Sequence, residues 1–299
     1  MRRGGKAAEV VMPAAALQRT IAAIALCLST FTWPDPAHAS PPLALYTLDC
    51  GRVWFKDLSV AADTGELDGH AGELADPCFL VHHPRGWLLW DAGLPAQWPG
   101  ADGLTDEALA RRDGVRVTHG APLAAQLLAL GLSPDDVTHL AFSHLHFDHV
   151  GQTHLFRRAT WILNRAELDW ALAQPPHFSM VASLLAARDG AQVQMIDGDH
   201  DVFGDGRVRI LKAPGHTPGS GVLLLKLPKT GAVLLSGDLY ISRAGRTASQ
   251  VPQINADRAQ TLASMARIER IAQRLKARVI VQHDPADYAR LPKPPHALQ

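Results

Sequence analysis

The stretch Ser143-His144-Leu145-His146-Phe147-Asp148-His149-Val150-Gly151 constrains this chain more than any other. It packs four potential metal ligands into six positions. The run before it contains apolar Val137, Leu140, Ala141 and Phe142, and reads as a buried strand feeding a ligand-bearing loop. Alternate residues of an extended run face one way. His144, His146 and Asp148 therefore start on one side, and a turn at Asp148 brings His149 round. Three histidines and an aspartate this dense, beside Leu145 and Phe147, do not suit an ordinary solvated loop. Neutral imidazoles with a carboxylate are the ligand set of a borderline divalent metal such as zinc.

Three later segments repeat the pattern of a ligand just past an apolar run. His216 sits in Lys212-Ala213-Pro214-Gly215-His216-Thr217-Pro218-Gly219-Ser220, a turn held by two Pro and two Gly. Asp238 ends Leu235-Ser236-Gly237-Asp238, after apolar residues 232–235. His283 follows Val279-Ile280-Val281-Gln282. Singly, these could be a turn histidine, a helix cap and a loop residue. Four strand ends carrying His or Asp in one chain defeat that explanation.

The first 39 residues read as a cleavable secretory signal. Arg2, Arg3, Lys6 and Arg19 supply positive charge, an apolar run covers 21–31, and Ala37-His38-Ala39 precedes Ser40 as an A-x-A cleavage site. The run is short for a membrane span, and Pro34 and Pro36 follow it. Met12 offers a start that gives a signal of more usual length. The expectation is a periplasmic or secreted protein, with no stable membrane insertion after cleavage. The whole chain has zero formal charge. The leader holds those four basic residues and two acids, Glu9 and Asp35, so the mature chain stands at −2. That balance argues against a nucleic-acid partner. Residues 40–299 are enough for one substantial domain. Past the leader only Cys50 and Cys78 remain. They either pair in an oxidising compartment or stay as two buried thiols.

Apolar patterning gives two series of strands. The first holds 43–48 and 53–55, separated by a turn at Asp49-Cys50-Gly51. It continues with a hairpin of 78–82 and 87–90, then 137–142 and 160–163. His82 and His83 fall at the hairpin bend and read as solvated. The second holds 193–196, 208–211, 222–227, 232–236 and 279–281. Helical spacing marks 123–130 and, longest, 262–275, where Leu262, Met265, Ile268, Ile271 and Leu275 share a face. A helical insertion at about 165–190 reads as a cover over a cleft, with Trp170, Phe178 and Met180 as lining candidates. The Pro-rich tail after 291 reads as loose.

On these motifs, the chain resembles the metallo-β-lactamase-fold hydrolases, and is most similar to the N-acyl homoserine lactonase branch. The resemblance runs from about Leu43 to about Leu291. It includes Leu48-Asp49-Cys50-Gly51, Asp76-Pro77-Cys78 and Leu89-Trp90-Asp91-Ala92-Gly93-Leu94. It implies an α/β fold: an αββα sandwich of two mixed β-sheets flanked by helices, with a dinuclear metal site at one edge. It implies His144, His146 and His216 on one divalent metal, Asp148, His149 and His283 on the other, and Asp238 bridging them. Zinc is the metal it favours, with iron, manganese or cobalt as alternatives. The implied reaction opens the lactone ring of N-acyl homoserine lactones, a quorum-quenching activity, by attack of a hydroxide shared between the metals, with Asp148 moving the proton. Tyr240 follows Asp238 by two positions. The lactonases place a substrate-binding Tyr three positions after the corresponding Asp, so Tyr240 is a catalytic candidate one register off. A homodimer is compatible with the resemblance.

The same site leaves other hydrolases open: a metallo-β-lactamase, or a broad-specificity esterase or organophosphate hydrolase. Export suits a β-lactamase, but Asp238 opposes it, because those enzymes generally place Cys or Ser there. Glyoxalase II fits the ligands and fits export less well, and no basic C-terminal element for glutathione is visible. Iron-containing relatives that oxidise persulfides or reduce oxygen are the redox alternative. A non-catalytic metal-binding module is disfavoured by the complete ligand set.

Overall fold

The layering follows from which residues alternate along each strand. The computed structural model describes Met1 and residues 42–96, 105–177 and 179–299. Apart from Met1, the expected leader lies outside the described residues. One sheet contains β1 (Ala44–Phe55), β2 (Gly72–His83), β3 (Gly86–Trp90), β4 (Val115–His119), β5 (His139–Ala141), β6 (Thr160–Asn164) and β7 (Gln192–Ile196), in the order β4-β1-β2-β3-β5-β6-β7. The other contains β8 (His200–Asp201), β9 (Val208–Lys212), β10 (Gly221–Leu227), β11 (Gly231–Leu235) and β12 (Arg278–Ile280), in the order β12-β11-β10-β9-β8. The α-helices are α1 (Asp106–Asp113), α2 (Leu123–Ala129), α3 (Phe147–Val150), α4 (Arg165–Ala171), α5 (Arg243–Ala248), α6 (Arg258–Leu275) and α7 (Pro285–Arg290). Among the described residues no helix is long and apolar enough to cross a membrane.

Phe79, Val81, Leu88 and Trp90 share one core with Val208, Ile210, Leu223, Leu225, Val233 and Leu235 of the second sheet. Their neighbours Leu80 and Leu89 join the opposite core, with Leu123 and Leu127 of α2 and with Leu184 and Leu185. In the second sheet Val222, Leu224 and Leu234 share a third core with Met265, Ile268 and Ala272 of α6. Strands covered on both faces must be apolar at both parities, and burying each such side chain contributes on the order of 2 kcal/mol. The result is the expected αββα sandwich of two mixed sheets.

Strand direction positions the site. β3, β5 and β6 run parallel. β9 and β11 both run antiparallel to β10, so they share a direction, and β12 is parallel to β11. The segments leaving β3, β5, β9, β11 and β12 carry Asp91, His144, His216, Asp238 and His283 in turn. Ligands commonly collect beyond the carboxyl ends of parallel strands for this reason.

Three expectations are corrected. Residues 43–48 and 53–55 are one strand, β1, not two. Its register against β2 shifts between Asp49 and Arg52, where Gly51 takes φ +128°, so the chain bulges instead of reversing. His83 is buried rather than solvated. Its Nε2 lies 2.9 Å from Asp205 Oδ2, and its ring stacks on Phe203 with centroids 4.1 Å apart. The tail is pinned rather than loose. Leu298 and Leu45 exchange two backbone hydrogen bonds, each 2.9 Å. β4 covers β1 only from Gly51 to Phe55, and Leu298 satisfies the edge beyond it.

Of the two readings open for the cysteines, the structure has the pair: Cys50 on β1 and Cys78 on β2 form a disulfide closing a separation of 28 residues. A loop of that length restrains the unfolded chain appreciably. We expect Cys50→Ala/Cys78→Ala to lose about 3 kcal/mol of unfolding free energy, read from urea denaturation. An unchanged midpoint would mean that the bond adds no net stability.

Candidate metal centre

Beyond β5 the chain is non-helical as far as His146 (φ −65°, ψ 158°), bending at Ser143 and His146, and α3 begins at Phe147. That stretch presents His144 and His146, and the helical turn presents Asp148 and His149. The seven sequence-named ligands come together as two groups. His144, His146, His216 and Asp238 form one, and Asp148, His149 and His283 the other, with ligand atoms in each within 4.8 Å of one another. Asp238 faces both. Its Oδ2 lies 3.4 Å from His216 Nε2 and 3.8 Å from His144 Nε2. Its Oδ1 lies 2.9 Å from His283 Nε2 and 3.4 Å from His149 Nε2. Asp148 Oδ2 is 3.7 Å from His149 Nε2 and 3.9 Å from His283 Nε2. Six of the seven are buried, and Asp148 keeps 19% of its side chain exposed.

The ring contacts fit cations held between them. His144 Nε2 and His146 Nδ1 are 2.9 Å apart, and His216 Nε2 is 3.2 Å from each. His149 Nε2 and His283 Nε2 are 3.3 Å apart. The far side of each of these last two rings already faces an acceptor: His149 Nδ1 lies 3.0 Å from Asp91 Oδ2, and His283 Nδ1 2.6 Å from Ala75 O. With those far nitrogens so engaged, loss of the inward proton leaves nitrogen lone pairs turned toward one another. Lone pairs at that separation repel, whereas a divalent cation between them turns the same contacts into coordination. Three imidazoles and a carboxylate on one side, with two imidazoles and a carboxylate on the other, fit two divalent metals.

Sequence reasoning missed the buried groups behind these ligands. Asp91 Oδ1 accepts from Ser143 N at 2.7 Å, and its Oδ2 accepts from Gln282 Nε2 at 2.8 Å as well as facing His149. One carboxylate thus ties together the chain ends leaving β3, β5 and β12. Glu167 of α4 accepts from Leu145 N at 2.9 Å and from Gly219 N at 2.8 Å. A signal existed for Asp91, which ends an apolar strand as Asp238 does. The signal for Glu167 was weaker: it is in helical phase with buried Ala171.

Tyr240 departs from expectation. It is 1% exposed and belongs to the core beneath α6. Its hydroxyl donates to Glu269 Oε1 at 2.9 Å, and Arg246 holds the same carboxylate through two nitrogens at 2.8 and 3.0 Å. Burial and the Glu269 carboxylate push the phenol far above its ordinary range. Tyr240 is a packed residue here, and the third position past Asp238 is Ile241, which has no hydroxyl. Of the proposed pocket lining, Met180 is buried in the core and Phe178 lies outside the described residues. Trp170 is placed at the site, with its ring 6.1 Å from His146 and stacked on His177 at 4.4 Å.

The two triads differ electrostatically. Burial holds His144 and His146 well below the ordinary imidazole range and also lowers His216. Burial pulls His149 down too, but the carboxylates of Asp148, Asp91 and Asp238 outweigh it and hold that ring well above the range. His283 is likewise lowered by burial but carried to about 9 by Asp238. In Asp238 the effect of burial, which raises a carboxyl, is outweighed by His283, His144 and His149, and the group sits well below its ordinary range. Protons on His149 and His283 therefore compete with a metal at the second triad. Its apparent affinity should rise with pH from neutral to about 9, as chelator competition would show. A pH-independent affinity over that range would contradict the assignment.

Comparison with known proteins places this geometry in context. The profile of the Metallo-beta-lactamase superfamily matches residues 71–283. N-acyl homoserine lactonase AttM of Azorhizobium caulinodans is 29% identical over 267 residues, covering 85% of this chain and 97% of the relative. An N-acyl homoserine lactonase of a Bacillus species is 30% identical over 241 residues, covering 80% and 92%. An N-acyl homoserine lactone hydrolase, solved with N-hexanoyl-L-homoserine at its catalytic metal center, matches with TM-score 0.73 at 24% identity, over 85% of this chain and 98% of that one. The dizinc quorum-quenching lactonase AidC matches with TM-score 0.63 at 20% identity, over 81% and 88%. At those identities the structural likeness speaks to the fold. The superfamily match, by contrast, spans every ligand-bearing segment, and the chain belongs to the metallo-beta-lactamase superfamily.

Proposed function

We propose that this protein is an exported, zinc-dependent hydrolase that opens the ring of N-acyl homoserine lactones. The observation that carries the reading is Asp238, which divides its two oxygens between the two triads. A bridging carboxylate there favours a lactonase over a β-lactamase. The lactonases named above add weight through their similarity along most of the chain. Export is supported by the leader-like residues 1–39 and by the disulfide, which suits an oxidising compartment.

Two bound divalent metals would supply Lewis acidity and the activation of water at neutral pH. His144, His146 and His216 would hold one, His149, His283 and Asp148 the other, with Asp238 between them. The protein's own contribution is orientation and proton handling. Asp148 Oδ2 faces His149 and His283, and Asp148 is the most exposed of the seven ligands. Its Oδ1 can take the proton released by the attacking water and return it to the ring oxygen as the ester C–O bond breaks. Trp170, stacked on His177 beside His146, offers an apolar wall for the acyl chain. Buried walls exclude water from the carbonyl under attack.

The metal-loaded protein should open an N-acyl homoserine lactone and leave nitrocefin intact. Cleavage of nitrocefin with no lactone opened would overturn the proposal. His146→Ala should lose one metal and more than about 100-fold in kcat/KM, followed by metal analysis and a lactone titration together. Tyr240→Phe should cost about 1 kcal/mol of stability and leave kcat near the parent value. A large kcat loss at unchanged melting temperature would restore a catalytic role to Tyr240.

A further inference from the structure

We infer that Glu167 is the positioning residue of the His144–His146–His216 site, acting on that site and not on its neighbour. The inference rests on the dinuclear reading above but not on the identity of the substrate.

The two triads are anchored differently. In the second, each ring is fixed by its far nitrogen, His149 by Asp91 and His283 by Ala75 O. In the first, only His144 has such a contact, its Nδ1 lying 3.1 Å from Ser143 Oγ. His146 Nε2 and His216 Nδ1 are buried with no hydrogen-bond partner among the described residues. Their rings must be placed by the backbone that carries them.

That backbone is held by Glu167. Leu145, whose N–H donates to Oε1, lies between His144 and His146. Gly219, whose N–H donates to Oε2, lies three residues past His216. The Glu167 side chain is 2% exposed, and hydrogen bonds to a buried charged acceptor are roughly twice as strong as neutral ones. The fit is close from both sides. A Cβ on Gly219 would lie 2.4 Å from Glu167 Cβ and 2.6 Å from Asn164 Oδ1, so only glycine lets the His216 loop approach α4 this nearly. Asn164 in turn caps α4, accepting from Glu167 N at 3.3 Å. Glutamine at 167 keeps the shape, but its amide offers one oxygen and one NH2 where two N–H groups need acceptors.

The test isolates each triad. His283→Ala leaves the first site and His146→Ala the second, and zinc affinity is read by chelator competition with no lactone present. Adding Glu167→Gln should weaken zinc at least tenfold in the His283→Ala background, in the range usual for groups behind metal ligands, and less than about twofold in the His146→Ala background. Equal weakening in both, or in neither, overturns the inference. A merely structural role predicts the equal case, together with a lower urea midpoint of the metal-free protein. Gly219→Ala strains the same contact with Glu167 intact and should show the same selectivity; unselective loss counts against it. If neither variant keeps a native circular dichroism spectrum, Glu167 is a folding residue and the inference fails. Inactivity of the parent protein on lactones would defeat the proposed function and leave this result standing.

Discussion

Two divalent cations held roughly 3.5–4 Å apart repel by on the order of 15–20 kcal/mol at an effective dielectric of about 20. A site of this kind stands only if an anion lies between them. Asp238 is placed to be that anion, with one oxygen toward each triad. Much of the fold serves to hold its position. It follows β11, which is buried between two cores and paired on both sides. The ligands it must meet arrive from β5, β9 and β12, strands whose directions bring their ends to the same place. A buried carboxylate among imidazoles is tolerable only with positive charge beside it, and the histidines around Asp238 already hold its carboxyl low.

Behind the ligands stand two more buried carboxylates with complementary tasks. Asp91 joins three chain ends and orients His149. Glu167 joins the loop of His144 and His146 to the loop of His216. Loops are ordinarily the least constrained parts of a domain, so ligands placed on them need cross-links of this kind. The disulfide works in the same neighbourhood: Gly93, two residues past Asp91, packs against Cys50 and Cys78. The segment that supports the second triad is thereby backed by a covalent bond between β1 and β2.

The ligands were legible in the sequence because metal coordination imposes residue types that nothing else in a strand-end loop requires. The sandwich was legible because residues such as Phe79 and Leu80, or Leu88 and Leu89, are apolar at both parities. What escaped was long-range pairing. Glu167 reads as an ordinary helical glutamate until Leu145 and Gly219 are seen at its two oxygens. His83 reads as a bend residue until Asp205 is folded onto it. Tyr240 shows the converse error. Proximity in sequence to a bridging aspartate suggested a role at the site, but the helical turn Gly237–Leu239 intervenes after β11 and the ring packs under α6, where Glu269 takes its hydroxyl. Leu298 escaped for a similar reason, since the vacancy it fills on β1 exists only once β4 is known to stop short.

The central claim is that one carboxylate is shared by two metals in a seven-ligand site. A crystal structure of the metal-loaded protein, with anomalous scattering recorded at the metal's absorption edge, tests it most directly. The account predicts two anomalous peaks on either side of Asp238, one bounded by His144, His146 and His216, the other by Asp148, His149 and His283. A single peak, or two peaks with Asp238 bound to only one, would contradict it.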